Sequence, residues 1–318
     1  MSISVILCTY NRCSTLASAL NSVAASVLPA SINWEVLVVD NNSTDQTLDV
    51  VEEFCRKYPG RFRYLLESEQ GVSHARNAGI RESRGDVLAF MDDDVTVDQE
   101  WLWNLTASLF SDEWAGVGGR IIPIWASSPP TWLPVDGPYS LGPFVAFDRG
   151  AQASQLNEPP FGANMAFRRE VFEKYGGFRT DLGRSADNLL SNEDTEFGHR
   201  LLAGGERLRY EPSAVMRHPV TQNRIQKSYL LAWWFGKGQA DITETGIPHG
   251  THWFLAGIPF YLIRRAVLWT VRWMTAVGAK RRFSYKLNVW NIAGQITGFR
   301  KLSLPANGGR RTFLGHRP

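Results

Sequence analysis

Cysteine is scarce in this chain: Cys8, Cys13 and Cys55 are an odd set of three, with neither CxxC spacing nor a histidine cluster beside them. Their number and spacing argue against a disulfide framework or a zinc site, and a reducing, cytoplasmic compartment is expected. Long apolar runs are also missing. The longest uninterrupted one, Trp253–Ile263, is far short of the roughly 20 residues that span a bilayer. There is no GxGxxG fingerprint and no GxxxxGK[ST] loop, which removes the usual basis for dinucleotide oxidoreductases and P-loop enzymes. Met1–Val5 runs straight into a strand-like segment without a basic leader, so no secretory signal is expected.

What is present is an ordinary globular composition, 44% hydrophobic and 20% charged, enough for a sizeable core and incompatible with disorder. The charge is unevenly spread. Residues 1–216 hold 18 Lys/Arg against 29 Asp/Glu, whereas residues 217–318 hold 16 against 2. Six of the twelve tryptophans lie in that basic last third. An acidic body with a basic, aromatic tail points the tail toward something anionic.

Apolar β-branched runs alternate with helical patterns through the first hundred residues. Strands are predicted at Ser4–Cys8, Trp34–Val39, Arg63–Leu66 and Asp86–Met91, with helices at Thr15–Ala25, from Asn42 to about Tyr58, and at Val72–Arg81. Such alternation predicts a parallel βαβ sheet, and ligands bind at the carboxyl edge of such sheets. Further on, a helix is predicted around Trp101–Phe110, a strand near Val117–Ile124, and a strand at Phe161–Arg169 followed by a short helix, Glu170–Tyr175. A helix at Glu193–Ala203 and a strand at Leu208–His218 close the pattern. Ser127–Gly150 carries five prolines and reads as a long loop, a candidate lid over an acceptor.

Met91-Asp92-Asp93-Asp94-Val95 is the most specific local signal. Three carboxylates directly after a buried strand repel one another unless a cation sits among them, and Mg²⁺ or Mn²⁺ suits carboxylates together with diphosphate oxygens. Asp40 ends a strand and reads either as a helix N-cap or as an acceptor for a base N–H or a ribose hydroxyl. Arg76, in Gly71-Val-Ser-His-Ala-Arg-Asn-Ala-Gly79, puts positive charge into the first turns of a helix among small residues. Asn192-Glu193-Asp194-Thr195-Glu196 opens a helix with three acids, which complement the helix dipole or supply a general base. His218 is a lone histidine, either structural or close to the metal.

Taken together and in order, Ser-Val-Ile-Leu-Cys-Thr-Tyr-Asn-Arg, Val-Val-Asp-Asn-Asn-Ser-Thr-Asp, Gly-x-x-x-Ala-Arg-Asn-x-Gly and Phe-Met-Asp-Asp-Asp resemble the family-2 inverting glycosyltransferases of the GT-A fold. Phe161–Arg169 and Asn192–Glu196 resemble that family's acceptor-side segments, and the likeness covers about residues 3–220. The resemblance implies an α/β GT-A fold, Rossmann-like, with a mostly parallel central sheet flanked by helices. It implies a domain over 1–220 (nucleotide-binding 1–115, acceptor-binding 116–220), followed by a helical extension over 221–318. It further implies that Thr9, Tyr10, Asn11, Asp40, Arg76, Asp92 and Asp93 face the nucleotide. Asp94 and Asp92, with His218, would hold Mn²⁺ or Mg²⁺, and Gly162 and Asn164 would meet the acceptor. Asp194 would be the catalytic base, with Glu193 the alternative. The implied reaction moves a sugar from a nucleotide-sugar donor, a UDP-sugar first, to a glycan or lipid-linked acceptor. A sugar-phosphate nucleotidyltransferase and a non-catalytic glycan-binding module are the rival readings.

In the tail, Arg264, Arg265 and Arg272 fall on one side of a predicted helix at 100° per residue. Leu262, Ala266, Trp269 and Trp273 fall on the other. That pattern fits either an interfacial helix on the inner face of the cell membrane or a helix packed on the protein's own core. Lys280, Arg281 and Arg282 follow at once and suit anionic lipid. No nucleic-acid motif accompanies the charge, so no nucleic acid is expected.

Overall fold

The computed structural model describes residues 1–303 except 112, 136–141, 187, 247–250 and 252. Strands β1 (Ser2–Thr9), β2 (Asn33–Asp40), β3 (Phe62–Leu66) and β4 (Val87–Asp92) lie in the order β3-β2-β1-β4, all parallel. Helices α1 (Cys13–Ala24), α2 (Thr47–Lys57) and α3 (Val72–Glu82) make the crossovers between them. Both faces of these strands are covered, so consecutive residues such as Val36, Leu37, Val38 and Val39 are all wholly buried. That is why these segments read as continuous apolar runs and not as alternating ones.

After β4 the sheet changes character. The chain continues through β5 (Thr96–Val97), α4 (Trp101–Thr106), β6 (Gly116–Trp125), β7 (Ser154–Leu156) and β8 (Asn164–Arg168). It then forms α5 (Arg169–Tyr175), α6 (Glu193–Ala203) and β9 (Leu208–Val220). Strand β8 slots between β4 and β6, antiparallel to both, and β9 lies parallel to β6 beyond it. One nine-stranded sheet therefore joins an all-parallel half to a mixed half through a single reversed strand. In the proline-rich segment, Phe147 bridges Ile121 and Phe144 packs on Trp125. Part of the predicted lid, residues 136–141, lies outside the described residues.

Past Val220 the chain becomes helical: α7 (Lys227–Thr245), the hairpin β10 (Phe254–Leu255) and β11 (Ile258–Pro259), α8 (Phe260–Thr275) and α9 (Ala279–Ser303). A second apolar cluster, including Leu133, Phe144, Val220, Leu230 and Leu287, fastens this region to the body. Helices α7 and α9 cross backbone to backbone. A Cβ on Gly238 would meet the Asn291 carbonyl oxygen at 2.0 Å, and one on Gly294 would meet that of Phe235 at 2.0 Å.

Of the two readings open for α8, packing on the protein itself describes its tryptophan side. That side is not presented outward but packs on α9, through Trp269 on Tyr285 and Trp273 on Trp290, and Leu262 on the same side is wholly buried. The outward apolar stripe consists of Phe260, Val267, Val271 and Met274, each more than half exposed, next to the exposed Arg264 and Arg272. Trp269 and Trp273 find aromatic partners on α9, which removes more apolar surface than the smaller stripe could.

Candidate active site

Parallel pairing brings the ends of β1, β2 and β4 to one edge. Thr9 lies opposite Asp40, and Cys8 opposite Asp92. The loops that follow are clasped together: Asn41 N–H donates to the Thr9 carbonyl at 2.8 Å, and Thr44 N–H donates to Asn11 Oδ1 at 2.7 Å. Asn11 and Asn42 both have positive φ, 51° and 67°, a conformation that asparagine tolerates better than most residues. Tyr10 is half-buried. Asn41, unremarked in the sequence, pins the next loop by donating to the carbonyls of Glu67 and Glu69 and accepting from Gly71 N–H.

Asp40 is buried and braced. Ser43 N–H donates to Oδ1 at 2.9 Å and the Tyr64 hydroxyl donates to Oδ2 at 2.9 Å. Each oxygen accepts one bond here and keeps a second lone pair for a further donor.

The acids after β4 have separate surroundings. Asp93 accepts a hydrogen bond from the Thr9 hydroxyl at 2.7 Å. Burial above all, and then Asp94, push its carboxyl up to about 7 against the pull of that bond. Asp92 and Asp94 turn toward His218, and one ligand atom from each of the three lies within 4.8 Å of the others. His218 is wholly buried, and among the described residues neither ring nitrogen has a hydrogen-bond partner, Nε2 lying 3.5 Å from Asp94 Oδ1. Burial lowers its pKa, which keeps the imidazole neutral and able to donate a lone pair. Arg224 also reaches Asp94, at 3.4 Å. Sequence reasoning missed this arginine, and its one signal was position, six residues past His218 where the basic tail begins.

Across the cleft, Arg76 is buried with Glu193 at 2.6 Å and Asp92 at 3.8 Å. Burial and the neighbouring Asp194 raise the Glu193 carboxyl, while Arg76 draws it back down. Asp194 is oriented by two backbone donors, Gly162 N–H to Oδ2 at 2.6 Å and Thr195 N–H to Oδ1 at 2.8 Å. Gly162 leaves no room for a side chain, since a Cβ would sit 2.7 Å from Arg76 and 2.9 Å from Asp194. A cavity of about 430 Å³ opens here, lined by Arg76, Asp92, Gly162, Asp194, Trp233 and Lys237 among others.

Asn164 departs from the expected acceptor role. It is wholly buried, accepts from Trp101 Nε1 at 2.8 Å, and donates to the carbonyls of Arg120 and Ala214 at 3.0 and 2.9 Å. Its amide ties α4, β6 and β9 together and leaves no N–H for an acceptor.

A parallel sheet whose carboxyl edge carries clustered acids, extended by a reversed strand and an acid-headed helix, defines the GT-A class of glycosyltransferases. The chain belongs to the glycosyl transferase family 2, whose model matches residues 4–176. It is 27% identical over 244 residues to a glucosyl-dolichyl phosphate glucuronosyltransferase of Haloferax volcanii, covering 75% of each chain. It is 29% identical over 238 residues to the succinoglycan biosynthesis protein ExoM of Rhizobium meliloti, covering 74% of this chain and 73% of that one. A mannosyltransferase of Pyrobaculum calidifontis, solved with GDP-Man and Mn²⁺, shares the fold with a TM-score of 0.58 at 20% identity. That match spans 97% of this chain and 76% of the other.

Proposed function

We propose that this glycosyltransferase moves a sugar from a nucleotide-sugar donor, a UDP-sugar in the first instance, to a glycan or lipid-linked acceptor by one inverting displacement. The observation that carries the reading is the placing of an oriented carboxylate, Asp194, across one cavity from the Asp92–Asp94–His218 group. Asp194 takes the acceptor hydroxyl's proton as its oxygen attacks the anomeric carbon. Glu193 is committed to Arg76 and serves instead to hold that guanidinium, which faces the negative charge of the departing nucleoside diphosphate.

Two carboxylates and an orphaned neutral imidazole fit a divalent cation, and the imidazole favours Mn²⁺ over Mg²⁺. Such a cation would neutralise charge building on the leaving diphosphate. The name of the Haloferax relative, which specifies a dolichyl phosphate, supports a lipid-linked acceptor. Among the described residues no helix is long and apolar enough to cross a membrane. The outward stripe of α8 with Arg264 and Arg272 would then rest on the inner face of the cell membrane, as an interfacial helix does.

The test is a thermal-shift panel of UDP, GDP and dTDP with and without Mn²⁺. One diphosphate should raise the midpoint only with metal, by mass action on the folded state. Asp94→Ala should abolish that shift. Asp194→Asn should keep it while turnover falls roughly 10²–10⁴-fold. A panel without any diphosphate response would sink the donor site and revive the glycan-binding reading.

A further inference from the structure

Residues 217–318 hold 16 basic residues and only two acids, Asp241 and Glu244. Both lie near the end of α7, and both are spent on the same group. The Asn192 side-chain amide donates to Asp241 Oδ1 at 3.1 Å and to Glu244 Oε2 at 2.6 Å. Among the described residues Lys237 also reaches Asp241, at 2.5 Å, and His199 reaches Glu244, at 2.9 Å. Asn192 is 2% exposed and occupies the turn immediately before Glu193 and Asp194, with φ 81° and ψ 6°.

Its side chain does not cap the helix it precedes. It reaches outward to the extension, while its backbone carbonyl accepts the first bond of α6 from Glu196 N–H at 2.8 Å. The direction in which Asp194 leaves that turn follows from the left-handed backbone of Asn192, and that backbone is held from α7. Two carboxylates brought to one carboxamide would repel each other without it, so the three groups form a tie that needs all its members.

We propose that Asn192 is a positioning residue through which the helical extension fixes the catalytic base. The inference rests on the transferase reading for the word "base", whereas the tie itself can be read without turnover. If Asn192 served only as a residue able to adopt positive φ, glycine would replace it without loss.

The experiment compares wild type, Asn192→Gly and the Asp241→Ala/Glu244→Ala double variant, which lacks both acceptors, by amide hydrogen exchange, with Mn²⁺–nucleoside diphosphate midpoint shifts and turnover alongside. Both variants should speed exchange roughly tenfold across residues 191–197 while the sheet strands stay protected. Turnover should fall more than the diphosphate shift does, because Glu193 in the same turn holds Arg76 while the Asp92–Asp94–His218 group is untouched. Unchanged exchange at 191–197 in Asn192→Gly overturns the proposal, as does acceleration spread evenly over the whole chain. A wild type that responds to none of UDP, GDP and dTDP condemns the transferase reading instead, and the exchange comparison still decides the tie.

Discussion

Glu35 and Ser4 face each other across β1 and β2, at the end of the sheet away from the cleft. The Ser4 hydroxyl donates to Glu35 Oε1 at 2.7 Å, Arg84 N–H donates to the same oxygen at 2.9 Å, and Arg63 reaches Oε2 at 2.9 Å. Burial raises the carboxyl's pKa, yet the bonds from Arg63, Ser4 and Arg84 outweigh it and leave the pKa below the usual value. A lowered folded-state pKa means the ionised group stabilises the fold above its unfolded pKa and loses that contribution as pH falls through the folded value. Glu35→Gln should therefore cost about 1–3 kcal/mol at neutral pH. The gap from wild type should close in denaturant titrations as the pH falls past the ordinary glutamate range and through the lowered folded-state value. At this scale the sequence was legible where residue type and neighbours suffice. Three acids after an apolar strand repel wherever they sit, so Asp92 and Asp94 could be named without coordinates. Asn164 could not be placed, because its role depends on Trp101 and on two strands far away in sequence.

Among the elements, the parallel half was readable because buried strands and their crossovers carry local periodicity. The reversed insertion of β8 was not, since antiparallel and parallel partners leave the same apolar run. The crossing of α7 and α9 was equally hidden, although its glycines were in view. Gly238→Ala and Gly294→Ala each force a methyl against a carbonyl oxygen, whereas at Gly298 a Cβ would approach Gln239 no closer than 3.1 Å. The first two should lower stability by about 1–3 kcal/mol or more, and Gly298→Ala by less. Thermal midpoints of the three variants, measured together, check the ranking.

For the molecule as a whole, the acidic body and basic extension were countable from the sequence, but the outward face of the extension was not. Aromatic pairing with α9 turned Trp269 and Trp273 inward and left Val267, Val271 and Met274 outside. If that surface meets lipid, the protein should sediment with phosphatidylserine-containing vesicles at low salt and much less at high salt. A Val267→Glu/Val271→Glu/Met274→Glu variant should stay in the supernatant with its thermal midpoint little changed. Equal sedimentation of the two proteins would refute the lipid-facing assignment of α8.

The reversed strand β8 also sets a timetable for synthesis. Strand β4 is complete at Asp92, but the partner for its second edge is not finished until Arg168, 76 residues later. At typical translation rates of about 5–20 residues per second, the nascent chain carries that open apolar edge for roughly 4–15 s. Over that interval the newly made chain presents an unpaired strand edge, the feature through which nascent chains aggregate.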